Sequence, residues 1–201
     1  MTVERRLPVG SLALVAACLL LFALLAQQVM SGGELTRIDP RITSWLASHR
    51  QGWLTQAMLL VSALHRTAPV LALTGAVAWL LWRDRLLLAV PGGMLLNVGL
   101  KNVFQRIRPA LDMPLVHLTT FSFPSGHAVA ATVFYGALCS LALRRLRHPL
   151  ARALALAAAV AMVLLVCFSR VYLGAHYLSD VVAGVAVGLA WLLLAGGLLR
   201  S

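Results

Sequence analysis

Two short polar stretches interrupt the long apolar runs of this chain. The second of them, SRVYLGAHYLSD over residues 169–180, places His176 four residues before Asp180. Side chains four residues apart lie next to each other on a helix face. A carboxylate that holds one imidazole nitrogen leaves the other nitrogen free to act as a nucleophile. The pair therefore predicts a histidine nucleophile, and the planar guanidinium of nearby Arg170 suits the oxygens of a phosphate group.

The first polar stretch, SFPSGH over residues 122–127, contains the start of a predicted helix. Pro124 suits a first helical turn, which leaves the N–H groups of Ser125, Gly126 and His127 without helical partners. Such a helix N-terminus binds anions, and Gly126 allows a ligand to approach the backbone closely. His127 adds a side chain that can donate a proton near neutral pH. We expect an anion site with a proton donor here.

Two further cations precede this stretch. Lys101 and Arg108 are seven residues apart, so both lie along one face if a helix continues between them. Pro109 disfavours helical geometry at Arg108, and we expect the helix to end there. Lys101 is the only lysine among the 17 basic residues. The two side chains would add positive charge to an anion site.

Each cluster also has a structural explanation when it is taken alone. The cations could anchor a helix at the membrane surface, SFPSGH could cap a helix, and His176 with Asp180 could be a structural pair. Hydropathy, however, predicts that all three clusters lie at one membrane face. An ionisable side chain at the bilayer centre costs about 2.5–3.5 kcal/mol, and the boundary position avoids most of this cost. Their common face favours one shared site.

The elements that position these clusters are membrane spans. The chain has 201 residues, of which 61% are hydrophobic and 11% charged, whereas a soluble domain is about half apolar and a quarter charged. A span needs about 20 mainly apolar residues, so the chain can hold six in a single domain, residues 1–201. The predicted spans are 10–30, 67–83, 86–104, 124–143, 150–168 and 177–199. Cys18, Cys139 and Cys167 lie in apolar runs and are predicted to be small core side chains.

A different kind of segment follows the first span. Asp39 as N-cap and Pro40 at the first helical position predict a helix to His49. The sequence predicts that this helix lies at the membrane interface, because one face carries Ile38, Ile42, Trp45, Leu46 and His49. Residues 54–65 are too short to span alone and could extend the second span backwards, with a bend at Pro69. The predicted fold class is an all-α integral membrane protein, a six-transmembrane helix bundle with an interfacial amphipathic helix between spans one and two.

The net charge of +11 is attributed to loops beside anionic lipid headgroups and to a site for an anionic substrate. With the N-terminus inside, nine basic residues face inwards and eight outwards, which decides nothing by the positive-inside rule. Without Lys101, Arg108 and Arg170 the balance is nine to five, and the cluster RRLRHPLAR at 144–152 favours the inside. We expect a bacterial inner-membrane protein with its site on the periplasmic or extracytoplasmic side.

The three clusters together resemble the signature of a known family. Lys-x6-Arg-Pro at 101–109, Pro-Ser-Gly-His at 124–127 and Ser-Arg-x5-His-x3-Asp at 169–180 occur in this order. They match every position of the tripartite signature of the type 2 phosphatidic acid phosphatase (PAP2) superfamily. The chain is therefore similar to membrane-embedded lipid phosphatases.

The resemblance implies a metal-independent phosphatase that acts through a phosphohistidine. It implies that His176 is the nucleophile, that Asp180 orients it, and that His127 protonates the leaving oxygen. The phosphate-binding residues that it implies are Lys101, Arg108, Ser125, Gly126 and Arg170. Asp112 and His117 lie outside the signature and receive no role. The six acidic residues form no cluster suited to Mg²⁺, so we expect neither a metal nor another cofactor.

Two other classes of protein would share parts of this pattern. Vanadate-dependent haloperoxidases have the same site architecture but are soluble, which the apolar spans oppose. A transporter or scaffold that only binds a lipid headgroup would need the cations but not His127 or the His176–Asp180 pair. The expected partners are a lipid phosphate substrate and membrane lipids, with no nucleic acid, and the oligomeric state stays open. Undecaprenyl diphosphate and phosphatidylglycerophosphate are favoured over phosphatidic acid because the short, Arg-rich, loop-poor chain looks bacterial.

Overall fold

The computed structural model describes residues 8–81, 85–111, 115, 116 and 118–198. These residues form helices and loops without any strand, which confirms the all-α class. The eight helices of this part of the chain are α1 (Val9–Met30), α2 (Glu34–Ser48), α3 (Gly52–Leu64), α4 (Thr67–Leu81), α5 (Arg85–Phe104), α6 (Gly126–Arg145), α7 (Pro149–Tyr172) and α8 (Leu178–Leu198).

Four of these helices, α1, α6, α7 and α8, are long and apolar enough to cross a membrane. Helices α3 and α4 meet at a bend of 58° and count together as a fifth candidate span, whereas the apolar part of α5, Leu88–Phe104, is shorter. Large apolar side chains such as Leu20 on α1 and Leu164 on α7 are exposed on the outside of the bundle, where lipid rather than water suits them. The chain is an integral membrane protein with four to five candidate spans.

Helix α6 lies at the centre of the bundle and packs against α5, α7 and α8, while α1 packs against α8. Small side chains allow the close approach of α6 and α8. Gly184 of α8 faces the backbone of Ser125, and one turn further Gly188 faces Thr132. Small residues at helix contacts are typical of membrane bundles, because dispersion forces act between closely packed backbones. This packing fixes the start of α6 against the start of α8.

The predicted start of the second helix is wrong. Helix α2 begins at Glu34 after the N-cap Gly33, so Pro40 lies inside it and Asp39 is not an N-cap. Asp39 and Thr43 are buried against the bundle, while Ile38 and Trp45 are exposed. The predicted apolar face is divided as well, because Ile42 and Leu46 pack on the core clusters beneath α7 and α8. Tertiary contacts of Asp39, described below, override the local capping pattern.

Helix α5 does not continue to Arg108, and its end agrees with the predicted span 86–104. Helix α5 ends at Phe104, and Gln105 has a φ of 46°, a left-handed conformation that stops a right-handed helix. Arg108 therefore lies in the following loop. Pro124 precedes α6 rather than standing in its first turn, and the chain bends at 65–66, between α3 and α4, before Pro69. Asp112 and His117 lie outside the described residues, and the three cysteines are buried and unpaired.

Candidate active site

Four helix ends meet at one end of the bundle and bring the three polar clusters together. The loop after α5 carries Arg108, the start of α6 carries His127, and a short turn between α7 and α8 carries His176. The N–H of Ser125 donates to the carbonyl of Asp180 at 2.9 Å, which ties the second cluster directly to the third. The fold therefore brings the three predicted polar clusters together at one end of the bundle.

The turn before α8 presents His176. Gly174 has a φ of +73°, a left-handed conformation that glycine adopts without strain. The N–H groups of Ala175 and His176 then both donate to the carbonyl of Arg170, at 3.0 and 3.2 Å. These bonds fold the chain back on the end of α7. As a result, His176 and Arg170 lie on the same small piece of rigid backbone.

The imidazole of His176 is oriented from both sides. Its Nδ1 lies 3.4 Å from Oδ2 of Asp180, and its Nε2 lies 3.2 Å from Nη1 of Arg108. A guanidinium can only donate, so Nε2 must present its lone pair and the ring proton must lie on Nδ1, towards the carboxylate. Burial, followed by the positive charges of Arg108, Arg170 and Lys101, lowers the pKa of His176 well below its ordinary value. The ring is thus neutral, with a nucleophilic nitrogen.

Three cations surround this histidine and bond to neutral oxygens. Arg108 donates through Nη1 to the carbonyl of Ala175 at 2.6 Å and through Nε to the carbonyl of Thr120 at 2.6 Å. Lys101 donates to the carbonyl of Phe121. Arg170 is buried and donates through Nη1 to Ser62 Oγ. Within the described part of the chain none of the three cations pairs with a carboxylate, so their charge is available to an anion.

Several buried polar atoms at this end of the bundle have no hydrogen-bond partner among the described residues. They are Nε2 of His127, Oγ of Ser125 and Nε of Arg170. Buried polar groups are nearly always paired in proteins, so each such atom needs an explanation. All three belong to the family signature, which assigns Ser125 and Arg170 to phosphate binding and His127 to protonation of the leaving oxygen. An anion bound beside them would supply the missing acceptors.

A cavity of about 500 Å³ reaches His127 and His176, whereas Ser125 and Arg170 lie behind its wall. Its polar end is formed by Lys101, Arg108, Gly126, His127 and His176. The rest of the wall is mostly apolar and comes from α4 and α5, with Leu71, Pro91, Met94, Leu95 and Val98. The arrangement suits a molecule with a phosphate at one end and an apolar body at the other.

The structure also places residues at this site that the sequence analysis missed. Asn97 lies one turn before Lys101 and donates to the carbonyl of Pro124 at 3.1 Å, and a Cβ at Gly126 would lie 2.9 Å from its Oδ1. Its spacing of four from Lys101 was a usable signal. Ser62, the partner of Arg170, lies in the apolar segment 54–65, and its position gave no such signal. Arg106 and Asp39, which stand behind Asp180, are treated below.

Comparison with known proteins agrees with this geometry. The PAP2 superfamily profile matches residues 84–197. Phosphatidylglycerophosphatase B of Bacillus subtilis is 32% identical over 190 residues, 89% of this chain and 92% of that protein. The crystal structure of a transmembrane PAP2 type phosphatidylglycerolphosphate phosphatase from Bacillus subtilis superposes with a TM-score of 0.80 at 30% identity, covering 92% of this chain and 96% of the other. Decaprenylphosphoryl-5-phosphoribose phosphatase of Mycobacterium tuberculosis is 35% identical over 125 residues, 59% of this chain and 64% of that protein.

The helical membrane bundle and its phosphate-suited pocket define a membrane lipid phosphatase. The chain belongs to the PAP2 superfamily. The family resemblance found in the sequence is confirmed, as is the expectation that the protein is a lipid phosphatase.

Proposed function

We propose that the protein hydrolyses a phosphate monoester or diphosphate of a membrane lipid through a phosphohistidine at His176. The observation that carries this proposal is the orientation of the buried His176 ring, whose Nδ1 faces Asp180 while Nε2 faces the cation-lined cavity. Nε2 attacks the phosphorus atom, and the bond between phosphorus and the lipid oxygen breaks. His127, on the wall of the same cavity, gives its proton to the leaving oxygen.

The second half of the reaction reverses these roles. Water attacks the phosphorus of the phosphohistidine, and His127, now neutral, takes the proton from the water. The bond between Nε2 and phosphorus breaks, which releases inorganic phosphate and returns His176 to its neutral state. Asp180 keeps the ring in the orientation required for both steps, because its Oδ2 faces the Nδ1 proton.

Charge stabilisation comes from protein cations in this proposal. Phosphoryl transfer is mostly a matter of positioning and of stabilising the equatorial oxygens, and Lys101, Arg108 and Arg170 converge with the N-terminus of α6 around the reacting nitrogen. The N–H groups of Gly126 and His127 belong to the first turn of α6 and point away from helical acceptors. No group of three His, Cys, Asp or Glu side chains suited to a metal ion occurs in the described part of the chain. We therefore assign the role of a metal to these cations.

The substrate class follows from the apolar walls of the cavity and from the names of the relatives. We propose phosphatidylglycerophosphate or undecaprenyl diphosphate as the lipid. The Bacillus subtilis relative is named for the first type of activity. The Mycobacterium tuberculosis relative is named for a decaprenyl-linked phosphate, which supports a long prenyl chain as the alternative apolar part. A leaving oxygen on either lipid could accept the proton of His127.

We also propose a topology. With α5 counted as a span and α3–α4 as one bent span, the chain is one domain that crosses the membrane six times and carries the site at the periplasmic or extracytoplasmic face of a bacterial inner membrane. Helix α2 would then lie at that face beside the site. Its exposed Ile38 and Trp45 support an interfacial position, because tryptophan favours the headgroup level.

The proposal is tested by trapping the intermediate. Purified protein is mixed with phosphate-labelled lipid, quenched in alkali within one turnover and analysed for acid-labile, alkali-stable phosphate on the protein. We expect labelled wild-type protein and no label on His176→Asn, which preserves the size of the side chain. A panel of lipid phosphates, including phosphatidic acid, then ranks the substrates by kcat/KM. Full turnover by His176→Asn would refute the phosphohistidine, and headgroup binding without phosphate release would support a binding protein instead.

A further inference from the structure

A buried group of charges stands behind the His176–Asp180 pair. Arg106 donates through Nη1 to Oδ1 of Asp180 at 2.7 Å and through Nη2 to Oδ2 of Asp39 at 2.9 Å. Its guanidinium carbon also lies 4.2 Å from the ring centre of Tyr177. The side chains of Arg106, Asp39 and Asp180 are only 10%, 3% and 0% exposed. One guanidinium thus bridges two carboxylates that come from α2 and α8.

The two oxygens of Asp180 have separate partners. Oδ2 faces Nδ1 of His176 and accepts the N–H of Tyr177 at 2.9 Å, while Oδ1 accepts only from Arg106 in the contacts of the described residues. Arg106 therefore fixes the rotation of the carboxylate that orients the histidine. It is also the cation paired with this fully buried carboxylate, and a buried charge without such a partner is strongly destabilised.

Asp39 also contacts α8, the helix that carries Asp180. It accepts the backbone N–H of Ser179 through Oδ1 at 3.1 Å and the hydroxyl of Ser179 through Oδ2. Ser179 is in the first turn of α8, where N–H groups have no helical acceptor. Tyr177 precedes the helix and has no short polar side chain to cap it. A carboxylate from α2 takes over the capping of α8, and it also partners the Arg106 guanidinium.

From these contacts we infer that Arg106 and Asp39 are positioning residues for the reaction of His176, acting through Asp180. The inference rests on the proposed function. Two carboxylates and one guanidinium leave one net negative charge next to Nδ1. This charge matches the positive ring that exists while Nε2 carries the phosphoryl group and Nδ1 keeps its proton. Neither residue belongs to the family signature quoted above, and neither touches the cavity that receives the substrate.

The first test measures kcat and KM separately for variants of Arg106 and Asp39. Arg106→Ala should lower kcat about 10- to 100-fold, the range known for groups that orient the histidine ligands of metal ions, with little change in KM. Arg106→Lys should recover part of this loss, because it keeps the charge but lacks the planar fork that donates to the two carboxylates through separate nitrogens. Asp39→Asn, which preserves the shape of the side chain, should lower kcat in the same way. The matched control is Arg41→Ala, an exposed arginine of α2, which should keep the wild-type kcat.

The second test uses charge rescue. Arg106→Ala leaves Asp39 and Asp180 without their shared cation, so adding Asp39→Asn removes one of two repelling charges. The double variant should have a higher kcat than Arg106→Ala alone and should form the phosphoenzyme faster in the trapping experiment. Thermal unfolding identifies variants that fail to fold, and the isosteric Asp39→Asn decides the question if Arg106→Ala is among them.

The inference is overturned if Asp39→Asn and Arg106→Lys keep the wild-type kcat, if only KM changes, or if the losses of the double variant multiply. These results differ from a failure of the proposed function. In that case wild-type protein would carry no labelled phosphate and His176→Asn would remain active, whatever the behaviour of the Arg106 variants.

Discussion

The contact between Gly184 and Ser125 predicts that a methyl group added at position 184 will push the start of α6 away from the start of α8. A Cβ at position 184 would lie 2.7 Å from the carbonyl oxygen of Ser125 and 2.8 Å from Cβ of Ala128. The first of these atoms is backbone and cannot move without its helix. Reaching ordinary contact, which starts at 3.4 Å, requires a displacement of about 0.7 Å.

This displacement acts directly on the proposed catalytic groups. Ser125 precedes Gly126 and His127, and its N–H bonds to the carbonyl of Asp180, one turn before Gly184. Misplacement by about 1 Å can cost about 100-fold in rate, so we expect Gly184→Ala to lower kcat about 10- to 100-fold. Overpacking costs about 1–3 kcal/mol, and the gain from replacing a helical glycine offsets about 1 kcal/mol of this. The variant should therefore still fold.

The assay is phosphate release from the best lipid substrate, combined with thermal unfolding of the purified protein. Gly99→Ala is the matched control, because an added Cβ at this helical glycine of α5 meets nothing within 4 Å. We expect the control to keep its kcat and to unfold at the same or a higher temperature. Equal kcat values for both variants would show that the α6–α8 contact does not set the geometry of the site.

Four further predictions follow from the site. His127→Ala should lose about 100- to 10,000-fold in kcat, with a smaller loss on substrates that have good leaving groups; equal losses on good and poor leaving groups would remove His127 from the acid role. Chelators should leave the rate unchanged and vanadate should inhibit, so recovery of a chelator-treated protein by Mg²⁺ would contradict the mechanism. Because burial and neighbouring cations lower the pKa of His176, its ring should stay neutral in NMR titrations at pH values just below the ordinary pKa of about 6.5. The unfolded chain takes up this proton first, so the contribution of His176 to stability falls as the pH decreases below that value. In a cysteine-free background, Ala110→Cys should react with an impermeant reagent in intact cells and Arg147→Cys should not; the reverse pattern would invert the proposed orientation but keep the enzyme.

Much of the fold and of the site could be predicted from the sequence, because both leave local signals. Long apolar runs predict helices in a membrane whatever their partners are, since backbone groups must pair within the segment. The polar clusters at the ends of these runs then had to share a face. The contact between His176 and Asp180 was predicted from their spacing of four, but His176 lies in the turn before α8 and not on the helix face expected for it.

The errors concern residues whose conformation depends on distant contacts. Asp39 before Pro40 has the local pattern of an N-cap, yet its carboxylate caps a helix 140 residues further along the chain. The left-handed conformation of Gln105 ends α5 before Arg108, and the sequence does not indicate this conformation because residue 105 is not a glycine. Ser62 carries the hydroxyl that partners Arg170, but one serine in an apolar run has no pattern of its own. Such contacts become visible only when the helices are packed.

The part of the chain that identifies the family does not contain every residue in contact with the proposed site. The PAP2 match covers residues 84–197 and includes every residue of the signature, but Asp39 and Ser62 come from the helices before it. A shortened protein that began at residue 84 would keep the signature while losing the second carboxylate at Arg106, the cap of α8 and the hydroxyl at Arg170. Under the proposed mechanism, substitutions at Asp39 or Ser62 would lower the activity of such an enzyme while its signature stays intact. When an activity is assigned to a relative from its signature, the residues at the positions of Asp39 and Ser62 should therefore be compared as well.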